Sequence, residues 1–152
     1  MCGGVQIGKQ YAESGKVLRI YFPNPYARLP VREAGGADVR WIPWGRREGQ
    51  GGIGPRGGWA RDDSITAGKW ARFRPVDCLV PVEAMMEKDA DRVSHWFAGG
   101  APETELRALL VGEGEEQLVY VVTGSPPERY AWVKDRWPVA VSAIWAELGG
   151  NE

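Results

Sequence analysis

Short apolar blocks separated by proline- and glycine-rich stretches dominate this chain, and the pattern predicts strands more often than helices. "KVLRIYF" (Lys16–Phe22) is rich in β-branched and aromatic residues and stops at Pro23, so it predicts a strand. "NPYARLPV" (Asn24–Val31) carries two prolines and predicts an extended connector. "VRWIPWG" (Val39–Gly45) predicts a short strand interrupted at Pro43. "DCLVPVEAMMEK" (Asp77–Lys88) predicts a buried strand ending near Pro81, then a turn or short helix that presents Glu87, with Met85 and Met86 packing around it. "SHWFAGG" (Ser94–Gly100), "QLVYVVTG" (Gln117–Gly124) and "RWPVAV" (Arg136–Val141) predict further strands. Three helices are expected. "PETELRALL" (Pro102–Leu110) opens with proline and acidic residues, "SPPERYAWVK" (Ser125–Lys134) offers Ser125 as N-cap, and "SAIWAELGG" (Ser142–Gly150) ends on Gly149. Strands interspersed with short helices amount to an α+β domain on a twisted, mostly antiparallel sheet.

Between Gly45 and Gly58 the pattern breaks down. "GRREGQGGIGPRGG" is half glycine and carries Arg46, Arg47 and Arg56. It predicts a mobile surface loop, either a plain linker or a segment that clamps nucleic acid.

Composition narrows the function. At 152 residues the chain is sized for one domain, residues 1–152, with 43% hydrophobic and 26% charged residues. No run reaches the ~20 apolar residues of a membrane span, and no leader pattern is evident. Two cysteines (Cys2, Cys78) and one histidine (His95) do not make a zinc site or a histidine-based triad. These features predict a cytoplasmic monomer without metal or cofactor; Cys78 and His95 are expected to be structural.

The net charge of −1 conceals an asymmetry. Arg28–Arg74 holds ten Lys/Arg against five Asp/Glu, whereas Asp77–Glu152 holds six against fourteen. Trp41, Trp44, Trp59 and Trp70 lie inside the basic segment. Tryptophan interleaved with arginine is the mixture on which single-stranded nucleic acid stacks, although a tryptophan-rich core with solvated arginines outside accounts for it equally.

The chain opens "MCGG". Once Met1 is removed, Cys2 would carry an amine and a thiol on adjacent carbons, a 1,2-aminothiol that condenses with an aldehyde to a thiazolidine ring. Gly3 and Gly4 keep the neighbouring backbone thin.

Taken in order, "MCGG" (Met1–Gly4), "PWG" (Pro43–Gly45), "WARDD" (Trp59–Asp63), "CLVPVEAMMEK" (Cys78–Lys88) and "KDRWPV" (Lys134–Val139) make the chain resemble the SRAP family, the SOS response-associated peptidases. The resemblance spans essentially the whole sequence and identifies a short, divergent, phage-related member. It implies a partly barrel-like sheet with short peripheral helices. It further implies a sensor of abasic sites in single-stranded DNA, which captures the sugar aldehyde on Cys2 and removes its own Met1, a hydrolase or lyase activity. Carried over residue by residue, Cys2 is the nucleophile, Glu87 the general acid/base, and Arg61 and Arg136 the phosphate contacts. Arg46, Arg47, Arg56, Trp44 and Trp59 are added as DNA-binding candidates from the basic, tryptophan-bearing segment. Three positions depart from the family pattern: Trp59 stands where the family has asparagine, Lys134 where it has histidine, and Asp63, one methylene shorter, where it usually has glutamate. Lys134 is a candidate phosphate contact or catalytic amine. A non-covalent DNA-binding module with a degenerate site is the alternative.

Overall fold

A computed structural model describes residues 3–149. The chain forms β1 (Gly4–Ile7), β2 (Leu18–Tyr21), β3 (Arg28–Glu33), β4 (Arg40–Pro43), β5 (Trp59–Arg61), α1 (Asp62–Thr66), β6 (Val76–Val82), β7 (Ala84–Lys88), β8 (Ser94–Ala98), β9 (Thr104–Val111), β10 (Leu118–Gly124), β11 (Trp137–Pro138) and β12 (Ala146–Glu147). One sheet runs β12-β8-β7-β1-β2; the other runs β11-β10-β9-β6-β3-β4, with β5 added on β10. Every strand pair is antiparallel except β5 with β10. The fold is therefore the expected one, sheet-dominated with few and short helices, but the sheets do not close into a barrel.

Both sheets draw on one stretch of chain. β6 lies in the larger sheet and β7 in the smaller, with Glu83 alone between them. The Glu83 amide donates to the Gln6 carbonyl at 2.8 Å, which fixes the crossing. Between the sheets, Val5, Ile7, Met85 and Phe97 of one layer meet Leu29, Val31, Val80, Leu106 and Val121 of the other in a continuous apolar core. A second cluster on the far face of the larger sheet gathers Ala60, Trp70, Leu109, Val111, Tyr120 and Val122.

That second cluster explains the largest departure from expectation. Residues 102–110 predict a helix, yet Thr104–Val111 is β9, paired with all seven residues of β6. Leu106, Ala108 and Leu110 face the inter-sheet core while Leu109 and Val111 face the second cluster. A strand buried on both faces reads as an unbroken apolar run, and tertiary pairing outweighs the weak helix preference of Glu, Leu, Arg and Ala.

The other departures share this cause. Residues 84–88 form β7, not a turn or helix, because both neighbours, β1 and β8, are available for pairing. The expected connector contains β3, and Pro30 sits where β3 has a partner on one side only. Glu128–Tyr130 is a single 3-10 turn capped by Pro127, without a Ser125 cap. The final helix is replaced by β12, which pairs with β8.

The glycine-rich segment 45–58 contains none of the named strands or helices, but it is tied down. Arg46 donates from Nε to the Gly54 carbonyl (2.7 Å) and from Nη1 to that of Gln50 (2.8 Å). The Tyr120 hydroxyl donates to the Pro55 carbonyl at 2.6 Å. Gly45 adopts φ +57°, and a Cβ there would fall 2.1 Å from the Gly57 carbonyl oxygen, so this crossing of the loop ends requires glycine.

Candidate active site

Three strands meet where the described chain begins. Gly4 pairs with Met86 of β7, which brings Gly3 alongside Glu87. β5, held parallel on β10, brings Trp59 to the same place. A Cβ on Gly3 would lie 2.5 Å from Trp59 Cζ2 and 3.7 Å from Glu87 Oε1. The indole thus leaves room for glycine alone at this position, and the carboxyl lies within ordinary contact of it. The Gly3 carbonyl accepts a hydrogen bond from the Phe22 amide at 3.0 Å, so the backbone is anchored. Cys2, the expected nucleophile, lies outside the described residues, one peptide bond from this point.

Glu87 is the unusual group here. Its side chain faces inward beside Met85, 1% exposed, and neither carboxyl oxygen has a hydrogen-bond partner among the described residues. A buried polar group without a partner costs roughly 1–3 kcal/mol or more and invites a functional explanation. Burial pushes its pKa up to about 8, against the opposing pull of the Lys134 ammonium. At neutral pH the group is mostly a neutral acid, yet close enough to titration to give or take a proton.

Lys134 is half-buried, four residues beyond the 3-10 turn, and its charge acts on Glu87. Trp59 is half-buried too. Its ring meets Trp44 edge-on at 5.3 Å and Phe22 at 6.4 Å, and its indole nitrogen is buried without a partner among the described residues.

On the other side of Trp59, Arg61 is exposed and paired with Asp63. Its Nε donates to Oδ1 at 3.0 Å and its Nη2 to Oδ2 at 2.9 Å. This pair holds the Asp63 carboxyl down at about 2, the Arg61 hydrogen bond being the main cause. Arg136 Nη2 donates to Asp62 Oδ1 (3.0 Å), to the Thr123 hydroxyl (3.2 Å) and to the Thr123 carbonyl. Since Arg61 pairs with Thr123 across β5 and β10, both guanidinium groups belong to one locality.

The remaining candidates lie elsewhere. Trp44 is fully buried, its indole N–H donating to the Gly58 carbonyl at 3.0 Å, so it has no face to offer a base. Arg47 lies over the Phe22 ring at 4.0 Å and donates to the Trp44 and Phe22 carbonyls. Together with the loop-bound donors of Arg46, this makes both arginines parts of the scaffold. Arg56 is exposed, 3.4 Å from Glu48.

Thr123 and Asp62 are constituents of the site that sequence reasoning missed. Thr123 sits at the end of a strand read only for its apolar residues, and Asp62 had no motif position of its own. His95 lies between two carboxylates: Nδ1 is 2.9 Å from Glu147 and Nε2 is 2.7 Å from Asp89. Its hydrogen bonds to Glu147, then to Asp89, raise its pKa. Cys78 is 3% exposed, and burial pushes its thiol up to about 12. Among the described residues no group of three or more His, Cys, Asp or Glu is placed to hold a metal ion. No helix among them is long and apolar enough to cross a membrane.

No protein-family model and no curated protein matches this sequence. The crystal structure of a protein from Bacteroides thetaiotaomicron is similar in fold, with a TM-score of 0.63 at 15% identity; the match covers 82% of this chain and 62% of that one. The chain thus spans less than two thirds of that protein's length. A likeness at this identity concerns the fold alone.

Proposed function

We propose that this chain binds single-stranded DNA and captures abasic sites covalently through Cys2, after hydrolytic removal of Met1. One observation carries the reading: Gly3, the residue that follows Cys2 in the sequence, lies beside Trp59 and beside the Glu87 carboxyl, which is buried without a hydrogen-bond partner among the described residues and has a pKa of about 8. The SRAP resemblance supplies the chemistry that such a group would serve. Hydrolysis of the Met1–Cys2 amide consumes one water and frees the Cys2 amine. The amine adds to the C1′ aldehyde of the open sugar. The resulting carbinolamine loses water as Glu87, in its acid form, protonates the departing hydroxyl. The thiol then adds to the imine carbon, its proton passing to nitrogen, and closes the thiazolidine ring. One water leaves per adduct. A carboxyl poised near neutral pH suits both the protonation and its reversal. Lys134, beside Glu87, fits a contact to the DNA phosphate or to the sugar oxygens.

A second reading, a non-covalent DNA-binding module, is favoured by Trp59, whose ring fills the space beside Gly3 where the family carries a small polar side chain. One experiment separates the two. The protein is mixed with a single-stranded oligonucleotide bearing one abasic site and run on denaturing and native gels beside Cys2→Ala, with the intact mass read for loss of Met1. A Cys2-dependent band that survives denaturation is the expected result. A native shift without it leaves the non-covalent module, and equal crosslinking by Cys2→Ala removes Cys2 from the chemistry.

A further inference from the structure

The two arginines that resemblance assigns to the DNA backbone are already occupied. Asp63 receives the fork of Arg61 through both carboxylate oxygens, at 3.0 and 2.9 Å. This is the arrangement in which a phosphodiester offers its two free oxygens. Asp62 receives Arg136 at 3.0 Å while the same guanidinium nitrogen holds Thr123. Asp62 and Asp63 are the first two residues of α1, so one short turn delivers both carboxylates to the two guanidinium groups. The pairs are also coupled: the Arg136 charge acts on Asp63, and the charges of Asp135 and Asp62 act on Arg61. The two guanidinium groups are each matched by a carboxylate, so this locality offers no uncompensated arginine charge to a nucleic-acid backbone as it stands.

We propose that Asp62 and Asp63 are built-in occupants of a phosphate site formed by Arg61, Arg136 and Thr123, and that a DNA strand enters by displacing them. The inference rests on the DNA-binding reading given above. The carboxylates hold the arginines extended and aligned in the absence of DNA, and they set a threshold that only a stronger, multivalent anion crosses. Acidification within the physiological range does not open the site, because Asp63 stays ionised down to about pH 2. Displacement leaves its mark on the salt dependence. Salt weakens each arginine–phosphate contact, but it also screens the arginine–aspartate pairs that the strand must break, so the wild-type slope is shallower than its phosphate contacts alone would give.

The test compares the full chain with Asp63→Asn, using a plain single-stranded oligothymidine and fluorescence anisotropy over a salt series. Asp63 is exposed and Asp62 is left in place, its Oδ1 still accepting the residue-63 amide at 2.8 Å. Asp63→Ser is a second variant should Asn hold Arg61 in a new hydrogen bond. The expected result is binding about two- to fivefold tighter at low salt, the range of one exposed ion pair, with a steeper salt slope because no Arg61–Asp63 pair has to be broken. Equal affinity and slope in both variants overturn the proposal while leaving the DNA-binding reading intact. Weaker binding by both overturns it as well, because Asp63 would then position Arg61 for DNA and not compete with it. If neither the wild type nor the variants bind oligothymidine at any salt, the DNA-binding reading itself fails, and the displacement with it.

Discussion

A carboxyl buried without a partner is costly to keep, and Glu87 is kept beside the one residue that leads to Cys2. The cost has a measurable form. Its pKa lies at about 8 in the folded protein against an ordinary 4.5. A pKa raised on folding means that the folded state holds the proton more tightly, so the contribution to stability is fully present below pH 4.5 and is lost as pH rises through 8. Glutamine cannot ionise, so Glu87→Gln is expected to lack this decline. In urea unfolding at pH 5 and pH 8.5, wild type should lose stability relative to the variant by up to about 1.4 kcal/mol per pH unit across the interval. A constant difference between the two proteins would mean that Glu87 does not titrate there. The abasic-site adduct should also form at least tenfold more slowly in the variant if Glu87 supplies the proton. At this scale the sequence singled out Glu87, Arg61 and Arg136 by residue type and order, and the structure places the first beside Gly3 and the other two at the adjoining end of β5. It was not readable where chemistry depends on environment. Nothing in "PWG" says that Trp44 is enclosed, or that Arg47 spends its donors on two backbone carbonyls.

Elements were legible in proportion to how far their pattern differs from a helix. β10 and β8, rich in Val, Tyr, Trp and Phe, matched expectation. β9, β7 and β12 did not, because their residues serve either state and only the partner strand decides. β12 has just two residues, Ala146 and Glu147, and owes its place to pairing with β8 and to side-chain ties. Its Glu147 carboxylate holds His95, and the Glu147 backbone amide donates to the Tyr130 hydroxyl oxygen at 2.9 Å. The His95 tie depends on pH. Its pKa is raised above the ordinary 6.5, so the stabilisation is fully present below pH 6.5 and fades as pH rises through the raised value. Hydrogen exchange at the Leu148 amide, which donates to the Trp96 carbonyl at 2.7 Å, is therefore expected to accelerate above that value beyond the intrinsic base-catalysed rate. His95→Gln should show the faster exchange already at pH 6. Indifference of Leu148 to both changes would show that β12 is held by its backbone pairing alone.

For the whole molecule, composition predicted a single sheet-dominated domain, and its architecture rests on long-range pairing that no local pattern records. β6 and β7, one residue apart, belong to different sheets, and β10 pairs with β9 through Leu118–Val121, with β5 through Val121–Thr123 and with β11 through Thr123–Gly124. The basic middle of the chain is not one basic face: Arg46 and Arg47 turn inward to the loop and to Phe22, while Arg61 is paired with Asp63. Charge counted along the sequence thus overstates the charge available to a polyanion.

Cys78 sits in the inter-sheet core, so its thiol meets solvent only when the two layers part. With a pKa of about 12 it is also almost wholly un-ionised at neutral pH, and the thiol form does not react with maleimides or iodoacetamide. A chain with two cysteines therefore behaves in its folded state as a chain with one addressable thiol at most. Mass spectrometry after brief alkylation should find no label on Cys78, and its slow appearance over hours would follow global opening. A dye attached without mutagenesis would accordingly report position 2, and the clock set by the second label would report the fold.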